Sequence, residues 1–196
     1  MKILRRDDYK VMPWKNGGGI TTEIAVFPPE SGLGVTPFQW RVSIADAAQD
    51  GPFSKFIGYD RHIMLLDGKG MRLDSEEGGV IDLASPYRPK AFSGDWNVSG
   101  HLVDGPVRDF NLMVARQSGR GSLLCQALSA PLPLTGDGST RLIYCIDGEF
   151  SLGGHVIGPG ETAILEDMES AVLSPLSSEG LFALCAIHHQ GHGARI

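Results

Sequence analysis

The feature that most constrains this chain is that it repeats itself. Residues Arg61-His62-Ile63-Met64-Leu65-Leu66-Asp67-Gly68-Lys69-Gly70 lie over Arg141-Leu142-Ile143-Tyr144-Cys145-Ile146-Asp147-Gly148-Glu149-Phe150 without a gap, with Arg, Ile, Asp and Gly in matching places. Each copy is followed by a Gly-Gly pair and two aliphatic residues, then by a proline and a short apolar run, Lys90-Ala91-Phe92 or Thr162-Ala163-Ile164-Leu165. Two copies of one supersecondary unit are implied. The Asp-Gly dipeptides are hairpin signals, because the tight turn needs positive φ and glycine adopts it without steric cost. A strand, an Asp-Gly turn, a strand, a Pro-Gly turn and another strand describe half of a small antiparallel barrel.

Period-two alternation supports an all-β reading. In the run from Phe38 to Ala45 the large apolar residues Phe38, Trp40, Val42 and Ile44 share one face, while Gln39, Arg41 and Ser43 share the other. This predicts a half-buried strand. From Asp109 to Ala115, Phe110, Leu112 and Val114 alternate with Asn111 and Met113. Helical patterning is scarce, and Ala45–Gln49 and Gly51–Phe56 could form a turn or two at most. The 26 glycines and 12 prolines are spread without a fixed period, as turns of an all-β protein are.

Charge and composition narrow the function classes. There are 17 Lys+Arg against 23 Asp+Glu and no basic run that would track a phosphate backbone, so no nucleic-acid partner is expected. The N-terminal MKILRRDDYK is charged within a few positions, and no apolar stretch approaches the ~20 residues that span a bilayer. No membrane association and a soluble, cytoplasmic location are the expectations. Cys125, Cys145 and Cys185 stand singly in apolar surroundings and read as reduced, buried, small hydrophobes.

Gly158-Pro159-Gly160-Glu161-Thr162-Ala163 resembles the second sequence motif of cupins, and the preceding Asp-Gly turn resembles the hairpin of the first. Metal-binding cupins carry a His-x-His pair and a glutamate before that turn and a further histidine after it, and none stands at a matching position here. The first copy offers only His62. His188 and His189 are adjacent in a strand and should point to opposite faces, His192 lies in the tail, and pairing His62 with His101 or His155 follows no ligand spacing. Neither a metal site nor any other cofactor is expected.

The most specific segment is Trp14-Lys15-Asn16-Gly17-Gly18-Gly19-Ile20-Thr21-Thr22-Glu23-Ile24. It lacks the order of a phosphate loop or a dinucleotide loop. Gly17, Gly18 and Gly19 could bring main-chain N–H groups close to a bound oxyanion, or they could form a bulge that turns a barrel corner. Together with Trp-Arg-Val-Ser-Ile-Ala at 40–45, Gly-Pro-Phe-Ser-x-Phe-x-Gly-x-Asp-Arg at 51–61 and Asp-Phe-Asn-Leu-Met at 109–113, this segment resembles the HutD/Ves family of bacterial bicupins. The four motifs occur in order and cover the first 116 or so residues. The second half resembles the family through its cupin turn pattern.

The resemblance implies a bicupin: two cupin-like antiparallel β-barrels or sandwiches in one chain. The first half would span 1–118 with the glycine-rich motif and the second 119–196, with N-terminal strands available to complete the second barrel. It also implies a role in histidine utilisation, sensing or buffering an intermediate such as urocanate or formylglutamate, with no catalytic activity required. Ves-type relatives are associated with cold or stress response.

Arg61 could make the bidentate pair that a carboxylate ligand needs, or it could pair with Asp60 or another rim acid as the matching Arg141 suggests. Asn111, in an otherwise apolar strand, must find a backbone or ligand partner. Asn16, Thr21 and Glu23 would shape the glycine-rich entry, Glu23 alternatively holding an arginine in place. Arg41 and Ser43 would line the pocket or face solvent, and Trp40, with Trp14, would flank the pocket or pack in the core.

The leading expectation is therefore a ligand-binding, regulatory protein in which Arg61 fixes a small carboxylate, with Asn111 and the Asn16–Gly19 loop closing around it. A metal-free isomerase or hydrolase of cupin type is the alternative, with His62 or Glu23 as general base; no Gly-x-Ser-x-Gly elbow or activated cysteine supplies a nucleophile. A third possibility is an interaction module whose barrel face or edge binds a partner or a second copy. Open strand edges make a homodimer a further expectation.

Overall fold

The computed structural model describes residues 1–31 and 36–190, and these form nineteen strands with one short 3-10 turn at Arg6–Asp8. In chain order the first strands are β1 (Lys2–Leu4), β2 (Lys10–Pro13), β3 (Gly19–Phe27), β4 (Trp40–Ala47), β5 (Gly51–Pro52) and β6 (Tyr59–Asp67). There follow β7 (Met71–Ser75), β8 (Gly79–Leu83), β9 (Lys90–Ser93), β10 (Val98–Leu102), β11 (Val107–Ala115) and β12 (Gly119–Leu128). The last are β13 (Leu132–Leu134), β14 (Ser139–Asp147), β15 (Phe150–Leu152), β16 (His155–Ile157), β17 (Thr162–Leu165), β18 (Ala171–Pro175) and β19 (Gly180–His189). The stretches 45–49 and 51–56, the places where a turn or two of helix could have formed, hold none: 45–47 continues β4, 51–52 is β5 and 53–58 is irregular chain. Among the described residues no helix is long and apolar enough to cross a membrane.

The chain divides into two compact units, one of residues Lys10–Ser118 and one of Met1–Tyr9 with the chain from Gly119 onward. The first contains a six-stranded sheet, ordered β2-β3-β4-β11-β6-β9, and a four-stranded sheet, β5-β10-β7-β8. The second contains a five-stranded sheet, β1-β17-β14-β19-β12, and a four-stranded sheet, β13-β18-β15-β16. Read from the other edge, the five-stranded sheet runs β12-β19-β14-β17-β1, which repeats β4-β11-β6-β9 with β1 added. The two repeat copies open on β6 and β14, and each occupies the same place in its sheet.

Local chemistry explains the repeat. Gly68 and Gly148 take φ of +103° and +77° at the two Asp-Gly turns, where an L side chain would be strained. At Gly68 a Cβ would also come within 2.7 Å of the Pro106 carbonyl oxygen. Each unit then closes its own apolar core. Ile63, Leu65, Met71, Leu73, Leu83, Phe92 and Val98 pack in the first, and Ile143, Phe150, Leu152, Ile157, Leu165, Leu173 and Phe182 in the second. Ile63 and Ile143 come from the matched strands and do the same work.

The long strands β4 and β11 depart from the half-buried expectation. Val42 and Ile44 are buried, and so are Arg41 and Ser43 on the opposite face. Likewise β11 buries Phe110 and Leu112 on one face and Asp109, Asn111 and Met113 on the other. Alternation in polarity therefore marks two buried environments here, one apolar and one carrying charge.

Candidate functional site

The charged face of β4, β11 and β6 forms the floor of a cavity of about 520 Å³ within the unit Lys10–Ser118. Register places the floor residues. Asn111 on β11 stands opposite Ser43 on β4 and Ile63 on β6, and Met113 stands opposite Arg41 and Arg61. The two arginines therefore flank one strand on the same row, with Cα atoms roughly 10 Å apart, which is two interstrand spacings. One step along, Asp109 stands opposite Ala45 and Leu65. Met71, Gly100 and Leu102 line the cavity from β7 and β10, and Trp14, Phe53 and Phe56 from the connecting chain.

Arg61 is 7% exposed, and its guanidinium lies against three rings, with Cζ 4.8 Å from the centroid of Phe92, 5.3 Å from Phe53 and 5.6 Å from Phe56. Its hydrogen-bond partners are neutral: Nη2 donates to Asn111 Oδ1 at 3.2 Å and Nη1 to the Ser54 carbonyl at 3.4 Å. Its Nε–H is buried with no partner. Burial pulls the guanidinium down from its ordinary value to about 10, Asp109 works against that, and Arg41 adds to it. Arg61 is thus a cation at neutral pH with an unused donor. Asp60, the alternative partner considered for it, instead accepts from Arg116 Nε at 2.7 Å, because successive side chains of β6 point to opposite faces.

Arg41 is held differently. Its Nε donates to Glu23 Oε2 at 2.6 Å, with both side chains largely buried, while one Nη2 is buried without a partner. Among the described residues of this unit, two buried donors from two arginines therefore lack partners. An unmet buried N–H costs on the order of 1–3 kcal/mol, which an anionic or acceptor ligand would recover.

Asp109, not singled out as a site residue from the sequence, completes the floor. It is 2% exposed, and its carboxyl accepts a hydrogen bond from Asn111 Nδ2. Burial raises it to about 7, against the lowering effects of the Asn111 hydrogen bond and the Arg61 charge, with Asp46 raising it further. Asn111 is a bridge, accepting from Arg61 through Oδ1 and donating to Asp109 through its amide. The sequence signal was available, since Asp109 shares the face of Asn111 at i and i+2.

The glycine-rich segment is built as a packed corner. Asn16 Oδ1 accepts from the Gly18 N–H at 3.0 Å, and the Gly17 N–H donates to the Trp14 carbonyl at 3.0 Å. Those two main-chain donors are spent within the loop. Of the three glycines only Gly17 has positive φ, at +72°. Gly19 is needed for space, because a Cβ there would lie 2.4 Å from the Asp46 carbonyl oxygen. Trp14 Nε1 donates to Thr21 Oγ1 at 2.8 Å and so fixes the indole in the cavity wall.

Of the residues expected at the site, Asn16, Gly18, Thr21, Arg41, Ser43, Arg61 and Asn111 line this cavity. Gly17 and Gly19 support its loop, and Glu23 stands behind Arg41. Trp40 is buried on the other face of β4, its ring stacked on Phe27 at 5.9 Å. His62 follows Arg61 on β6 and therefore points to the opposite face. Lys15, Gln49, Asp50, Phe53, Phe56 and Met113 line the cavity without having been anticipated.

The remaining histidines are dispersed. His101 Nδ1 is 3.1 Å from Asp50 Oδ2, His189 Nε2 is 2.8 Å from Thr140 Oγ1, His155 and His188 are exposed, and His192 lies outside the described residues. Among the described residues no group of three or more His, Cys, Asp or Glu side chains could hold a metal ion. The arginine-lined floor suits an anion, not a cation. In the second unit Arg141 is buried, with Nη2 donating to the Glu169 carbonyl at 2.8 Å and Nε without a partner.

Comparison with known proteins gives a consistent result. The HutD family profile matches residues 6–185. The chain is 42% identical over 159 residues to an uncharacterized 21.2 kDa protein in the hutC 3′ region of Pseudomonas putida, covering 80% of each. It is 33% identical over 165 residues to protein Ves of Escherichia fergusonii, covering 82% of each. Among solved structures, HutD from Pseudomonas fluorescens SBW25 superposes with a TM-score of 0.81 at 32% identity, over 97% of this chain and 99% of that one. A Cupin 2 conserved barrel domain protein from Leptotrichia buccalis superposes with a TM-score of 0.59 at 12% identity, over 91% and 96%, and shares the cupin fold alone.

Proposed function

Since the chain belongs to the HutD family, we propose that it binds a small organic acid in the cavity of its first unit, with Arg61 as the anchor of the carboxylate. The family is linked to histidine utilisation. The acid is accordingly read as an intermediate of histidine degradation, such as urocanate or formylglutamate, and the role as regulatory or buffering. The observation that carries the reading is the Arg61 guanidinium: buried, held by neutral partners, and left with an unpaired Nε–H in a cavity of about 520 Å³. A buried cation without a counter-ion is costly unless an anion arrives to pair with it.

The second unpaired donor, on Arg41, is of another kind. Glu23 already neutralises Arg41, so its Nη2 suits a neutral acceptor on the ligand, such as a carbonyl or hydroxyl oxygen, as well as an anion. Small acids carrying a second polar group at a distance from the carboxylate use both donors. The aromatic wall of Phe53, Phe56 and Trp14 then covers the apolar stem between them.

Calorimetric titration of the full chain with urocanate, formylglutamate and histidine tests the reading, each repeated on Arg61→Ala. One acid should bind, and the substitution should cost about 2–5 kcal/mol, which weakens a micromolar affinity to tens of micromolar at the least and to millimolar at the most. Equal affinities for wild type and variant would remove Arg61 from the site.

A further inference from the structure

The charges around the cavity do not balance in the presence of an anion, and that imbalance points at Asp109. Arg41 and Glu23 form one neutral pair, from β4 and β3. Arg61, from β6, is unpaired, and Asp109 on β11 lies near it without a direct ion pair, linked through the Asn111 amide. At the rim, Lys15 and Asp50 add one charge of each sign, and Asp46 on β4 is paired with Arg108. From β7 and β10 the lining residues Met71, Gly100 and Leu102 carry no charge.

If Asp109 is ionised, this set sums to zero, and a carboxylate entering beside Arg61 meets a like charge in a compartment that water screens poorly. If Asp109 carries a proton, the set sums to one positive charge and a monoanion neutralises it.

We propose that Asp109 is the proton-bearing partner of the bound acid: each carboxylate anion enters the cavity together with one proton, which Asp109 holds. The inference rests on the organic-acid reading of the same cavity and adds the ionic form in which the site accepts its ligand. The neutral carboxyl offers an O–H to the ligand, while the Asn111 amide keeps it beside Arg61. The free protein is already poised for this, because burial brings the carboxyl to about 7.

The sign follows from linkage. Below about pH 6 the proton is already in place and binding should take up none. Above about pH 8 the free carboxyl is ionised, one proton is taken up for each acid bound, and affinity falls about tenfold for each further pH unit. Replacing the carboxyl by an amide fixes the neutral state, so Asp109→Asn should bind without proton uptake and about 30-fold more tightly than wild type at pH 8.5.

The experiment is calorimetry of the full chain with formylglutamate from pH 5.5 to 8.5, in paired buffers of different ionisation enthalpy. Formylglutamate is chosen because its carboxyls ionise well below this window; one of them neutralises the single positive charge, and the second makes an ionised Asp109 still less favourable, so the proton uptake is expected for this diacid as for a monoanion. The expected result is uptake rising from near zero to near one proton in wild type, and none in Asp109→Asn. Binding by wild type without proton uptake at pH 8.5, or uptake that persists in the variant, overturns the inference and leaves the organic-acid reading intact. No binding heat in wild type at any pH sinks that reading and the inference with it. Should the variant not fold, carbon-13 titration of wild-type aspartate carboxyls decides. One carboxyl titrating near 7 and moving upward with formylglutamate supports the inference, and titration of all of them below pH 5 overturns it.

Discussion

Glu23 accepts the Arg41 Nε–H with both side chains nearly sealed from water, so its charge serves the fold and opposes the ligand at the same time. Breaking a buried pair from one side strands the remaining charge, at a cost of about 3–5 kcal/mol when the partner is deleted. Glu23→Gln keeps the hydrogen-bond geometry and removes only the charge, so a loss of roughly 1–3 kcal/mol in urea denaturation is expected. The same change frees the Arg41 charge within the cavity wall. Affinity for an organic acid should therefore rise while stability falls, two opposite shifts that a general loosening of the site would not produce. Calorimetry and denaturation on one preparation check both signs.

At the scale of elements, the three glycines before β3 separate into different roles. Gly19 begins β3 where its hydrogen atoms face the Asp46 carbonyl oxygen at 2.4 Å and the Trp14 ring at 2.9 Å from an ideal Cβ position. Gly17 has open space but takes φ of +72°. Gly19→Ala should cost about 1–3 kcal/mol through overpacking and should weaken ligand binding, because the Trp14 ring that lines the cavity must shift. Gly17→Ala should cost about 1–2 kcal/mol of left-handed strain with little effect on the indole. Denaturation midpoints paired with ligand titrations distinguish the two. The element that carries the site, β11, works through register: Asp109, Asn111 and Met113 fall on one face, and the neighbouring strands bring an arginine to each side of Met113.

In the whole molecule the cysteines report on one unit only, since Cys125, Cys145 and Cys185 all lie in the unit formed by Met1–Tyr9 and the chain from Gly119. Burial raises the thiols of Cys125 and Cys145 to about 11 and about 12, and that of Cys185 higher still. Cys125 is only partly buried, contrary to the expectation that all three are sealed. A thiol reagent at neutral pH should find the native protein nearly inert, label Cys125 first, and reach three equivalents only in denaturant. Rapid labelling of Cys145 or Cys185 in native buffer would mean that this unit opens readily.

The sequence by itself determined the cupin architecture and its duplication, because hairpins are local: Asp67-Gly68 and Asp147-Gly148 set their turns from neighbouring residues alone, and alternation set the faces of β4 and β11. It also singled out Asn111, as a polar residue in a strand that is otherwise apolar, and Arg61, as the arginine that opens the first repeat within the Gly-Pro-Phe-Ser motif. It left open whether Arg41 and Ser43 met solvent, since alternation assigns a face without saying what covers it. Only the tertiary structure decided that both faces of β4 are buried, that Asp60 goes to Arg116 and leaves Arg61 unpaired, and that Asp109 is a sealed carboxyl on the cavity floor. The reason is physical: the state of a charge depends on the water, charges and donors within a few ångströms, and here those come from strands distant in sequence.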